Sequence, residues 1–180
     1  MAEGTRTRLL DAAALEFNER GFSGTDTNRI ARRAGFAPQT FYRWFDDKTA
    51  IFIAAYQIWE DAEREMLGDL LARKASTKRL VDAVVAHHRA HLIFRRSLRQ
   101  LALDDPLVRR ARADSRKRQI EQIKRWQQRP DADAADIAVE LLKMERLADA
   151  LAEDEFADLG LRALAVENAL AEIIDALRNP

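Results

Sequence analysis

The sequence predicts an all-α protein, and three observations support that fold class. Proline and glycine, which interrupt helices, account for only 4 and 6 of the 180 residues. Apolar residues recur every three or four positions along most of the chain, which is the period of a helix face. Runs of β-branched residues, which would favour strands, are few. With 47% hydrophobic residues, the chain can bury one core or two small ones.

Composition also excludes several classes of protein. The chain has no cysteine, so neither a disulfide framework nor a thiolate metal site is available. No apolar run approaches the roughly 20 residues that a bilayer-spanning helix needs, and the N-terminus lacks the long apolar centre of a signal peptide. We therefore expect a cytoplasmic protein that has no membrane partner.

The first helix is expected to begin at Thr5 or Thr7 and to end near Arg20, where Gly21 closes it. Phe22 follows the glycine and should complete a small core with the two helices that come next. The apolar stripe of the first helix consists of Leu10, Ala13, Ala14 and Phe17.

Two short helices joined by a three-residue turn follow. Thr25, Asp26 and Thr27 can cap the first of them, which ends at Gly35 because a chain leaving a helix often needs positive φ. Pro38 begins the second helix, at a position where its missing N–H costs nothing. Two helices joined by a tight turn containing glycine are typical of a helix-turn-helix.

The second short helix has an apolar side, Phe41 and Phe45, and a polar side. The polar side offers amide, hydroxyl, guanidinium and ring N–H groups, which suit base edges and phosphates: Gln39, Thr40, Tyr42, Arg43 and Trp44. This pattern predicts that the helix enters the major groove of DNA. An ordinary αα-corner in a helical bundle is the alternative. Basic residues cluster nearby, at Arg29, Arg32, Arg33, Arg43 and Lys48.

A fourth helix is expected to begin at Asp46 or Asp47, either of which can cap it, and to continue to about Arg73. Lys48 lies in its first turn, where the helix dipole disfavours a cation unless a phosphate is near; a solvated lysine is the alternative. This helix joins the predicted helix-turn-helix domain, residues 1–47, to a helical effector-binding and dimerisation domain, residues 48–180.

The N-terminal features together resemble the DNA-binding domain of TetR-family transcriptional regulators. The resemblance is carried by the Gly-Phe pair after the first helix and by Ile30-Ala31, Ala34-Gly35, Thr40, Phe41-Tyr42, Phe45 and Lys48. It implies a homodimeric repressor that binds a palindromic operator in double-stranded DNA and is released by a small-molecule effector. A DNA-binding regulator without an effector, controlled by a protein partner or by abundance, is the alternative.

The resemblance also implies roles for individual residues. Those at phosphate-binding positions are Thr27, Thr40, Tyr42 and Lys48, and those at base-contact positions are Pro38, Gln39 and Arg43. Trp44 replaces the commoner histidine, and Asn28 could touch phosphate, base or neither. Ala37 stands where the recognition helix often has a capping serine or threonine, so that cap is missing.

Beyond residue 75 the sequence predicts four further helices. The first runs from Ser76 or Thr77 to about Leu103, and the second from Pro106 to just before Pro130 with a basic, solvated face. The last two run from about Ala134 to Leu151 and from about Leu159 to Leu177. Residues 131–180 carry 4 basic and 13 acidic side chains, so this end should face away from phosphates. The apolar stripes of the last two helices either cap their own core or form the homodimer, and we expect the homodimer.

The chain shows no motif for catalysis. It has no HExxH, no Glu-x-x-His pair and no Gly-rich phosphate loop, so we expect no enzyme, no cofactor and no metal. His87 and His91, four apart on one helix, could share a metal ion, but cavity lining is the stronger reading. The candidate ligand-binding residues are Trp59, His88, His91, Phe94 and Trp126.

Overall fold

The structure, a computed structural model, describes residues 2–178, and every regular element in that range is a helix. The ten helices are α1 (Ala2–Arg20), α2 (Thr27–Arg33), α3 (Pro38–Phe41), α4 (Lys48–Ala72), α5 (Thr77–Ala90), α6 (Leu92–Asp104), α7 (Pro106–Trp126), α8 (Ala134–Ala152), α9 (Glu155–Asp158) and α10 (Leu164–Arg178). The predicted all-α class is thus confirmed. Within these residues, no helix combines the length and the apolar character that crossing a bilayer requires.

The chain forms two compact units. Unit 1 contains residues 1–62 and 93–112, so α6 and the start of α7 belong with the N-terminal helices; unit 2 contains residues 63–92 and 113–180. The single boundary predicted after residue 47 stays a prediction. Helix α4 is continuous, beginning in unit 1 and ending in unit 2.

Aromatic side chains fill the core of unit 1. Phe17 of α1 is fully buried, and its ring centroid lies 4.9 Å from that of Phe52 of α4 in an edge-on arrangement. Phe94 of α6 stacks on Phe52 at 4.5 Å. Ile30 of α2 and Phe41 of α3 are also fully buried in this core, as the sequence predicted.

The loop between α1 and α2 is attached to α6 within unit 1. The Phe22 N–H donates to Ser97 Oγ at 3.0 Å. Gly21 has φ +69°, and a Cβ built on it would lie 2.9 Å from the same Oγ, so both backbone conformation and space require glycine there. The predicted end of the first helix at Gly21 is therefore confirmed. Its closeness to Ser97 of α6 is a second reason for glycine at this position, and the sequence of α1 alone does not reveal it.

Unit 2 has two small apolar clusters. One joins α5, α8 and α10 through Leu80, Val84, Ala148 and Leu170, which are almost fully buried. The other joins α7 and α8 through residues that include Ile123 and Leu141. The stripes predicted on the last two helices therefore pack mainly against their own chain.

The predicted helix from Ser76 to Leu103 is wrong, because two helices occupy that range. His91 separates α5 from α6, with φ −119° and ψ 24°, outside the helical region. Its N–H donates to the His88 carbonyl at 3.2 Å, and its Nδ1 lies 2.9 Å from the His87 carbonyl. The side chain thus satisfies a terminal carbonyl of α5, which hydrophobic periodicity does not reveal.

The start predicted for the last helix, near Leu159, is also wrong. The short helix α9 ends at Asp158, Gly160 turns the chain at φ +69°, and α10 begins at Leu164. Leu159 and Leu161 lie in the intervening connection and are exposed.

Truncating Phe17 to alanine should lower the free energy of unfolding by about 3–5 kcal/mol, because a large cavity would remain beside Phe52. Urea denaturation followed by circular dichroism measures the change. Leu15→Ala on the same helix is the matched control, since Leu15 is 51% exposed, and should change stability by no more than about 0.5 kcal/mol. Equal losses for both variants would contradict this description of the core.

Candidate nucleic-acid interface

Helix α2 is capped at both ends. The Asp26 carboxylate accepts a hydrogen bond from Arg29 N–H at 2.7 Å, so Asp26 is the N-cap among the three predicted candidates. At the other end, Arg8 Nη2 donates to the Ala34 carbonyl at 2.7 Å, and Gly35 follows with φ +76°. These contacts fix the turn that leads into α3.

Helix α3 is shorter than the predicted second helix, since it contains only Pro38–Phe41. Ala37 makes no side-chain cap, as the sequence indicated. Beyond Phe41 the chain continues in turns, with Trp44 N–H donating to the Phe41 carbonyl at 2.9 Å. Phe41 and Phe45 are both buried in the core of unit 1, so tertiary packing holds this short helix in place.

Apart from Lys48 of α4, the residues predicted to bind DNA lie on α2, on α3 and in the turn after α3. Gln39, Tyr42 and Arg43 are exposed, Tyr42 to 58%. The Tyr42 hydroxyl lies 3.0 Å from Thr27 Oγ1 of α2, so the structure brings together two of the predicted phosphate contacts. The other predicted positions are exposed or half-buried: Asn28, Pro38, Thr40 and Trp44. Their DNA-contacting roles stay predictions.

Two of the basic residues near this surface are paired within the chain. Arg33 forms ion pairs with Glu16 at 2.9 Å and with Glu19 at 2.5 Å. Arg29 lies 3.8 Å from Glu16, which is itself buried. These guanidinium groups join α1 to α2. Of the other arginines near α3 in sequence, Arg32 and Arg43 are exposed.

The ion pairs change the protonation of their members. The hydrogen bond from Arg33 lowers the pKa of the Glu19 carboxyl, and the same pairing with Glu19 and Glu16 raises the pKa of Arg33 further above its ordinary value. Sequence reasoning did not find Glu16 or Glu19 as partners. The available signal was their spacing of three residues on one face of α1.

Lys48, a predicted phosphate contact, lies at the start of α4 with its Nζ against the loop before α2. It donates to the Phe22 carbonyl at 2.8 Å and to the Thr25 carbonyl at 2.9 Å. Burial lowers the pKa of this ammonium group, and the charge of Asp26 raises it in part. The cap of α4 is Asp47, whose carboxylate accepts from Ala50 N–H at 2.8 Å.

The five predicted ligand-binding residues are divided between the two units. In unit 1, Trp59 and Phe94 are buried, their ring centroids are 6.4 Å apart, and the guanidinium of Arg95 lies 5.1 Å above the Trp59 ring. In unit 2, His91 is half-buried and Trp126 is 40% exposed. Their roles in ligand binding stay predictions.

His88 is the most buried of the candidates in unit 2. Its Nδ1 lies 2.9 Å from Asp149 Oδ1 of α8, and its Nε2 lies 3.6 Å from Glu63 Oε1 of α4. Both carboxylates are buried, and sequence reasoning missed them. An acidic residue inside the apolar run Ala148 to Ala152 was the available signal for Asp149. Within the described residues, no group of three or more His, Asp or Glu side chains is arranged to hold a metal ion.

Sequence comparisons show that part of this chain is similar to bacterial transcriptional regulators. Residues 9–55 match the family described as bacterial regulatory proteins, tetR family. The uncharacterized HTH-type transcriptional regulator YdgC of Bacillus subtilis (strain 168) is 39% identical over 67 residues, 37% of this chain and 34% of that protein. The HTH-type transcriptional repressor KstR2 of Rhodococcus jostii (strain RHA1) is 31% identical over 110 residues, 57% of this chain and 54% of that protein. The chain thus spans about a third to about half of the length of these relatives.

Solved structures share the fold over nearly the whole chain. One is Thermus thermophilus FadR, a TetR-family transcriptional repressor crystallised in complex with lauroyl-CoA. It has a TM-score of 0.63 and 18% sequence identity, and the match covers 96% of this chain and 92% of that one. At this identity the likeness shows the fold alone.

Replacing Arg33 with glutamine should raise the pKa of the Glu19 carboxyl toward its ordinary value, because Arg33 is the main cause of its lowering. In the parent protein, Glu19 contributes stability at pH values above its unfolded pKa and loses that contribution as the pH falls through its folded pKa. NMR titration of the side-chain carboxyl carbon measures the shift. Arg32→Gln, at an exposed neighbouring position, should leave the titration unchanged; a shift there would contradict the assignment.

Proposed function

We propose that this chain, which matches the tetR family of bacterial regulatory proteins over residues 9–55, is a sequence-specific DNA-binding repressor of transcription. It binds a palindromic operator in double-stranded DNA as a homodimer, and a small-molecule effector releases it. The alternative of control by a protein partner or by abundance would leave the DNA-binding step unchanged.

One observation carries the DNA-binding proposal. Helix α3 is fixed to the core by Phe41, while Gln39 of α3 and Tyr42 and Arg43 of the turn after it are exposed. Their amide, phenol and guanidinium groups match the donors and acceptors of base edges and phosphates. The fixed pair Thr27–Tyr42 supports a phosphate contact beside them.

Exposed apolar side chains in unit 2 support the homodimer. The apolar stripes of α8 and α10 that were predicted to form the dimer pack within the chain. Between residues 139 and 164, however, other apolar side chains are exposed. They are Val139, Leu142, Leu159, Leu161 and Leu164. Val139 and Leu142 are three residues apart and therefore share a face of α8. A second copy related by a two-fold axis would bury this surface.

Release by an effector requires that the ligand bind better to a conformation that cannot bind DNA. Two recognition helices must lie about 34 Å apart to occupy successive major grooves, and α4 supplies an unbroken connection of 25 residues between the two units. The effector site that we propose in unit 2 includes His88, which is buried in contact with Asp149 and Glu63. The lauroyl-CoA complex of FadR supports an effector in a protein of this fold.

Selection from randomised duplexes tests the proposal directly. The purified protein should enrich a two-fold symmetric sequence whose half-sites are centred about one helical turn apart. Failure to retain any duplex at low salt would refute DNA binding, and enrichment of a single half-site would refute the dimeric arrangement.

Gln39→Ala should relax base preference at one position of each half-site, because a bidentate amide contact discriminates between bases by about 1–3 kcal/mol. Tyr42→Phe is the comparison variant, since it removes only the hydroxyl paired with Thr27 and should weaken binding to all duplexes alike. The same selection measures both. Wild-type preference in Gln39→Ala would show that this side chain does not read a base.

Leu142→Glu should convert the dimer to monomers, because it places a charge in the proposed interface at a side chain that is 57% exposed in the single chain. Sedimentation equilibrium measures the change in mass. Leu103→Glu in unit 1, where the leucine is 74% exposed, is the matched control and should remain dimeric. A Leu142→Glu protein that stays dimeric would place the interface elsewhere.

A further inference from the structure

The ammonium group of Lys48 is held by the backbone of the α1–α2 loop. Its Nζ donates to the carbonyls of Phe22 and Thr25 at 2.8 and 2.9 Å, and it lies 4.0 Å from the centroid of the Phe22 ring. An ammonium has three N–H donors, so two are committed to main-chain carbonyls and the ring face takes part of the charge. A phosphate would therefore find only one N–H of this ammonium group outside these two carbonyl contacts.

We propose that Lys48 is a positioning residue for DNA binding: it fixes the loop formed by residues 21–26, and through it the first turn of α2, instead of contacting a phosphate. The inference rests on the proposed DNA-binding function and changes the role that the family resemblance assigns to this lysine. It differs from that role in a measurable way, since a positioning residue neutralises no charge on the DNA.

The loop determines where the DNA-facing residues of α2 lie. The Thr25 hydroxyl donates to the Glu16 carbonyl at 3.2 Å, which attaches the loop to α1. Asp26, the next residue, caps α2, and Thr27 then contacts the Tyr42 hydroxyl. Displacing the carbonyls that Lys48 holds would therefore move the cap of α2 and the Thr27–Tyr42 pair together.

The electrostatics of the site favour this role. A cation in the first turn of α4 opposes the helix dipole, and burial makes its charged form less favourable, as the lowered pKa indicates. The two carbonyls, the Phe22 ring and the charge of Asp26 offset these costs. These partners stabilise the charged ammonium in the free protein, before any DNA is bound.

Amide hydrogen exchange in the free protein tests the positioning. Replacing Lys48 with methionine keeps the aliphatic stem and removes the charge and the donors. Exchange of the Phe22, Thr25 and Arg29 amides, which are hydrogen-bonded in or beside the loop, should accelerate by about tenfold or more. Amides of α5 and α8 in unit 2 should exchange at the wild-type rate, which separates a local effect from a general loss of stability.

The salt dependence of DNA binding tests the absence of a phosphate contact. Lys48→Met should weaken binding to every duplex but keep the wild-type slope of log K against log salt concentration. Stoichiometric titration first determines the active fraction of each protein, so that affinities are compared at equal active concentration. Arg43→Met is the matched control, since this exposed cation lies in the turn after α3, on the surface proposed to face DNA. Removing its charge should lower the slope and should leave loop exchange unchanged.

Each remaining outcome overturns the inference. A fall in slope of about 1 for Lys48→Met shows a direct phosphate contact, and unchanged loop exchange shows that the lysine does not hold the loop. If the methionine variant does not fold, Lys48→Gln undergoes the same two measurements. Wild-type protein that binds no duplex would refute the proposed function instead, and the exchange result would still decide whether Lys48 fixes the loop.

Discussion

Burial of Phe41 gives a four-residue helix a fixed place in the molecule. Helix α3 is too short to be stable on its own, and Ala37 provides no side-chain cap for it. Phe41 and Phe45 insert into the same core as Phe17 and Ile30, so the orientation of the exposed side chains follows from the packing behind them. The function proposed for α3 therefore depends on aromatic contacts inside the core of unit 1.

Ion pairing within unit 1 determines which positive charges remain available to a polyanion. The number of arginines near α3 overstates the positive charge available there, because Arg29 and Arg33 are paired with carboxylates of α1. These pairs join α1 to α2 and so support the same geometry as the aromatic core.

Local signals in the sequence were sufficient for much of the fold. Gly21, Gly35 and Asp47 were found as helix boundaries because their conformational preference or capping chemistry acts on adjacent residues. The residues that face DNA in the proposal were also predicted, since they occupy one side of a short periodic segment. The break between α5 and α6 at His91 could not be predicted, because neither glycine nor proline marks it. Instead, the His91 side chain contacts a backbone carbonyl at the end of α5. The partners of His88 and Arg33 were missed for another reason: they lie far away in the chain and meet only after folding.

The attachment of Phe22 to Ser97 joins residues 75 positions apart. A fragment cut after α4 would contain the whole helix-turn-helix motif yet lack both Ser97 and the stacking partner of Phe52. Chimaeras that exchange DNA-reading modules between regulators would meet the same difficulty at their junctions. A transplant that includes residues 93–112 would carry the intact packing unit, whereas a simple N-terminal graft would leave its loop and its aromatic core incomplete.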